Sequence, residues 1–162
     1  MEKRGQIQIS FGMIISIIIV GVTVAVAGYL IYQFLSFRDC STIGLYYDSL
    51  QKEVTRVYRG QGTENYPFSG SLPSSVQYVC FGDLSKSPLL ADKARYDFFK
   101  NTIKSGKNAF IYPQTTSCGA SYLTKNIQYI STEQFFCVQV KDGKVGVKLS
   151  KGLYDPLVKL TK

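Results

Sequence analysis

Four cysteines, Cys40, Cys80, Cys118 and Cys137, are the residues of this chain best suited to chemistry. None of them has the short CxxC spacing of a zinc or redox site, and the chain has no histidine to complete a ligand set. An even number of widely spaced cysteines in an exported domain predicts two disulfides. The alternative is four reduced thiols in a cytosolic domain. Spacing leaves three pairings open. Shorter loops close more readily, which slightly favours Cys40–Cys80 with Cys118–Cys137.

Nothing else in the sequence assembles a catalytic set. The absence of histidine removes the commonest general base and any Ser-His-Asp or Cys-His arrangement. No GxxxxGK[ST] or GxGxxG phosphate loop is present. The carboxylate pairs Asp48 with Glu53 and Asp92 with Asp97 are five residues apart on expected helices, so neither pair shares a face. The reading is therefore a non-enzyme, with no catalytic, cofactor-binding or metal-ligating residue and no cofactor. The 12 tyrosines and 10 phenylalanines read as filling for a small core. Asn65, Asn101, Asn108 and Asn126 all fail the N-x-[ST] pattern, so N-glycosylation is not expected.

The stretch Gln6–Phe37 governs where such a protein works. It contains no Asp, Glu, Lys or Arg, and as a helix it would extend about 48 Å, where a bilayer core needs about 20 apolar residues. Residues 1–5 read as a basic leader, 6–37 as a transmembrane helix and 38–162 as an extracytoplasmic head. Gly21, Ala25 and Gly28 recur at helical spacing, a small-residue face of the kind that lets helices pack closely in a membrane. Lys3 and Arg4 precede the span, while Arg38 after it is offset by Asp39. The positive-inside rule then puts the N-terminus in the cytoplasm and the head outside.

The net charge is +8, and the first 37 residues contribute only Glu2 against Lys3 and Arg4, so +7 belongs to the head. A basic head favours an acidic partner such as polysaccharide, anionic lipid or nucleic acid. The lysines are scattered rather than run together, so no specific nucleic-acid binding is expected. The expected partners are membrane lipid, the chain itself through its N-terminal helix, and an acidic surface partner of the head.

Within the head, Ile43, Tyr46, Leu50, Val54 and Val57 fall at three- and four-residue intervals, predicting an amphipathic helix over Ser41–Tyr58 that ends at Arg59–Gly62. Arg38–Ser41 either interrupts the helix or lies within it. Thr63–Ser75, with Pro67, Gly70 and Pro73, reads as a loop, and Val76–Phe81 as a strand. Ser87-Pro88 looks like a helix start, with Tyr96, Phe99 and Ile103 as its apolar face. Ala109–Tyr112 reads as a strand, and Tyr122–Ile130 is ambiguous. Asp142-Gly143 reads as the turn of a hairpin between Phe135–Val140 and Lys144–Leu149.

The N-terminus carries two processing signals. Ala25-Val26-Ala27 is an A-x-A triplet like that of a secretory cleavage site. Lys3-Arg4-Gly5 followed by Gln6 and a long apolar helix resembles the class III signal peptides of archaeal type IV pilin-like and archaellin-like proteins. That resemblance implies cleavage between Gly5 and Gln6 and packing of the helix into a filament core. It covers only about the first 37 residues. Ser10 stands where those families usually carry a Glu. The remainder, with LPSSVQYVCFGDL and GKVGVKLSKGLYDPLV, resembles uncharacterised single-anchor archaeal proteins. The expected fold class is α+β: an N-terminal transmembrane helix whose amphipathic extension packs on a small, mainly antiparallel β head. The expected function is a pilin-like or surface-exposed, membrane-anchored structural subunit. The alternative is a monomeric bitopic protein whose basic head binds an acidic partner.

Overall fold

A computed structural model describes residues 11–60, 62–103, 106–114 and 118–162. The chain divides into two compact units, Met1–Ser36 and Phe37–Lys162. Helix α1 (Phe11–Arg59) supplies all the described residues of the first unit and the opening element of the second. Residues 38–41, left open above, are helical.

In the first unit, residues 11–35 are exposed throughout. In the second, the predicted stripe is buried in full: Ile43, Tyr46, Leu50, Val54 and Val57, joined by Tyr47. The helix ends where the Gly60 N–H donates to the carbonyls of Arg56 and Val57. Arg56 and Arg59 place positive charge at the negative end of the helix dipole.

The head is α+β, with two four-stranded sheets. The first has the order β1 (Thr63–Ser71), β7 (Lys144–Lys151), β8 (Val158–Thr161), β5 (Ile130–Ser131). The second has the order β4 (Thr124–Lys125), β3 (Ala109–Tyr112), β2 (Tyr78–Phe81), β6 (Phe136–Gln139). All pairings are antiparallel except β5 with β8. A short 3-10 turn (Leu90–Asp92) leads into α2 (Lys93–Thr102), and α3 is the four-residue Ala120–Leu123.

The sequence patterns of the two sheets follow from their surroundings. In β7, Val145, Val147 and Leu149 are buried and alternate with exposed Lys144, Gly146 and Lys148, because only one face of that sheet is covered. In β2, Val79, Cys80 and Phe81 are all buried. Val79 and Phe81 join the main core with the α1 stripe. Cys80 joins Phe110, Cys137, Phe135 and the α2 residues Tyr96 and Phe99 in a second core on the other side. A strand covered on both faces has no polar side to alternate with.

Several expectations need correction. Thr63–Ser71 is a strand, not a loop. It is the edge strand of its sheet, where proline is tolerated because no ladder bond is needed on the outer side. The helix expected from Ser87-Pro88 begins at Lys93 instead; Pro88 forms an isolated bridge with Phe135. Asp142 and Gly143 do form the turn, with φ of 51° and 69° and mutual hydrogen bonds between Lys141 and Lys144. Its flanking strands then part into different sheets, so no hairpin follows.

The favoured cysteine pairing is also overturned. Cys80 pairs with Cys137 and Cys40 with Cys118. Cys80 and Cys137 stand directly opposite each other on β2 and β6, so strand register decides the partner rather than loop length. That leaves Cys40 on α1 to reach Cys118, just before α3.

Candidate functional site

The sequence-stated positions scatter rather than converge. Gly5 and Gln6 lie outside the described residues. Gly21, Ala25 and Gly28 are exposed, and an added Cβ at either glycine would meet nothing within 4 Å. All four cysteines are consumed in disulfides. Among the described residues no group of three or more His, Cys, Asp or Glu lies close enough to hold a metal ion.

The carboxylates named in the sequence have separate fates. Asp48 and Asp97 are exposed. Glu53 is half-buried, with its Oε2 3.6 Å from Arg56 Nη1. Asp92 is the buried one, and its oxygens are taken up structurally. Oδ1 accepts from Arg95 at 3.0 Å; Oδ2 accepts from the Cys137 backbone N–H at 2.9 Å and from Lys162 at 3.1 Å. Asp92 thus occupies the outer side of edge strand β6 and fastens α2 to it. A carboxylate there discourages another strand from adding to that edge. The Arg95 guanidinium also stacks 3.6 Å above the Tyr78 ring.

Two tyrosines of α1 are held neutral by burial. Tyr46 and Tyr47 have hydroxyls pushed well above the usual range by desolvation, and Tyr47 is raised further by its neighbour Tyr46. Tyr47 donates to the Leu123 carbonyl at 3.3 Å. The Tyr46 ring lies flush on Gly70, where an added Cβ would come within 2.5 Å of it. These are packing roles. At the surface, the carboxyl of Asp83 is lowered mainly by the Ser85 backbone N–H, and that of Asp155 mainly by the Gly152 N–H. Both are turn-locking contacts.

One polar cleft, about 300 Å³, is lined by Gly82, Asp83, Lys86, Asn108 and Thr132 among others. Three of its polar side chains, Asp83, Lys86 and Asn108, are engaged in internal contacts. Lys86 Nζ donates to the Thr132 carbonyl, and the Asn108 amide bonds both backbone groups of Ile127. Gly82 has φ of 135°, and an added Cβ would meet Phe135 Cα at 2.8 Å, so it serves close backbone packing.

Two surfaces stand out. One is the exposed apolar helix of residues 11–35, the one helix among the described residues long and apolar enough to cross a membrane. The other is the uncovered face of the first sheet, which carries lysines. No family model, curated protein or solved structure matches this chain. Its function must therefore be argued from these surfaces alone. Sequence reasoning placed the alternation of β7 but did not single out its outward lysines. The signal was there, since Lys144 and Lys148 are four apart in a strand of period two.

Proposed function

We propose that the chain is a pilin-like or surface-exposed structural subunit, anchored or assembled through its N-terminal helix, with the disulfide-bonded head on the extracytoplasmic side. The observation that carries this is the exposure of residues 11–35. They form a helical run of about 37 Å, more than a bilayer core of about 30 Å requires. Burying such a surface in lipid or in neighbouring helices removes an aggregation hazard. Two disulfides fit an oxidising compartment, and Lys3 and Arg4 ahead of the span fit a cytoplasmic N-terminus. The role is structural rather than catalytic.

The second reading, a monomeric bitopic protein with a binding head, is favoured by the basic sheet face. Mild shearing of native cells separates the two. A filament subunit is expected in long sheared polymers with an intact mass that begins at Gln6. Recovery only in the detergent-soluble membrane fraction, with a mass beginning at Met1, would favour the monomeric anchor. A mass beginning at Gly28 would discard both.

A further inference from the structure

The outward side of the first sheet carries three lysines. Cross-strand register puts Ser71 opposite Lys144, Ser69 opposite Gly146, Lys148 opposite Thr161 and Ser150 opposite Lys159. Lys144, Lys148, Lys159, Ser69, Ser71 and Thr161 are all exposed. No Asp or Glu falls within the regularly paired runs 66–71, 144–150 and 158–161; Glu64 lies in β1 at its irregularity, and Glu133, Asp142 and Asp155 lie outside the strands. Asp155 meets Lys159 at 3.4 Å, which tempers one of the three charges.

These lysines do not protect an edge, because β7 and β8 are the interior strands of the order β1-β7-β8-β5. Lysine is also disfavoured in strands relative to threonine or valine, so solubility alone would be met by better strand formers on this face. Lys144 and Lys148 stand about 13 Å apart along β7, and Lys159 lies across the neighbouring strand. Lys144 and Lys148 thus lie exposed along β7, while Lys159 opens with Ser150 and Thr161 on a cleft that Glu133, Leu89 and Phe136 also line; charges spread this far apart suit an extended polyanion rather than a small ligand.

We infer that this face docks an acidic polysaccharide. Charge complementarity calls for a polyanion, and the interleaved serine and threonine hydroxyls can exchange hydrogen bonds with sugar hydroxyls and carboxylates. No aromatic residue stands on the outward positions of these strands to stack nucleobases. No large apolar side chain stands there to enter a bilayer either. The choice of polysaccharide rests on the extracytoplasmic placement proposed above; the polyanion-binding face does not.

The test is binding of the full chain, in detergent micelles, to polygalacturonate. Neutral dextran, single-stranded poly-dT and phosphatidylglycerol vesicles are run beside it. The triple variant Lys144→Gln, Lys148→Gln, Lys159→Gln is compared with the equally charged control Lys52→Gln, Lys93→Gln, Lys125→Gln, all six lysines being exposed. The wild type is expected to bind polygalacturonate with an affinity that falls with salt, and dextran not at all. The face triple is expected to lose at least about tenfold, and the control to stay within about twofold. Equal losses in both triples would overturn the inference by reducing it to net charge. So would absence of binding, or tighter binding to poly-dT or to the vesicles. Unchanged thermal melting of both triples shows that the comparison reads binding and not folding. None of these outcomes depends on topology in the cell, so a failed inference is distinguishable from a failed anchor reading.

Discussion

Val54→Asp is expected to leave the head unfolded at room temperature while the helix of residues 11–35 stays intact in micelles. Val54 is fully buried in the α1 stripe with Leu50 and Val57, against the inner faces of both sheets. The substitution removes the burial of an aliphatic side chain, worth roughly 1.5–3 kcal/mol. It also places a carboxylate where it must either stay charged without water or take up a proton, at a further cost of several kcal/mol. Together these reach the range of about 5–15 kcal/mol that holds a whole domain folded. Near-ultraviolet circular dichroism of the full chain reports mainly on the head, because only Tyr29 and Tyr32 of the 12 tyrosines lie in the anchor. A cooperative melt at the wild-type temperature would show that α1 does not seat this stripe in the core.

The second large effect is loss of the Cys40–Cys118 bridge. The bond closes a separation of 78 residues and ties α1 to the segment before α3. Chain-entropy arguments set an upper value of about 4.5 kcal/mol for a loop of that length, and such links typically contribute about 2–4 kcal/mol. Replacing both cysteines with serine is therefore expected to lower the head's unfolding free energy by about that amount in a denaturant titration. Non-reducing peptide mapping is expected to find Cys40 with Cys118 and Cys80 with Cys137. Four free thiols in protein exported by its host would remove the staple and weaken the outside placement of the head.

The legible parts of the fold were those written in periodicity. The α1 stripe could be read because its apolar residues recur every three or four positions. The buried face of β7 could be read because valines and leucine alternate with lysine and glycine. Ala109–Tyr112 was visible as a β-branched and aromatic run cut off by Pro113. The illegible parts depend on partners far away in sequence. Thr63–Ser71 looks like a loop because Pro67 and Gly70 are loop residues, and only an edge position beside β7 makes them a strand. Val158–Thr161 is four residues long and borrows its definition from β7 and β5. Residues 135–140 and 144–149 flank a good hairpin turn, yet β6 leaves to bond β2, where Cys80 and the second core hold it. The disulfide partners were hidden for the same reason. Loop closure is a property of the unfolded chain, whereas the pairing follows from which strands lie side by side. The spacing of Lys144 and Lys148 already put them on one outward face of β7, but only the sheet order shows that the strand is interior.

The central claim is that residues 11–35 hold the head to a membrane or to a helical assembly, and alkaline carbonate extraction of native cell membranes tests it directly. The full chain is expected to stay in the pellet, while a version beginning at Phe37 is released as a soluble, disulfide-bonded protein. Release of the full chain as a soluble monomer would contradict the account, since an exposed apolar helix of this length would then need neither lipid nor neighbours.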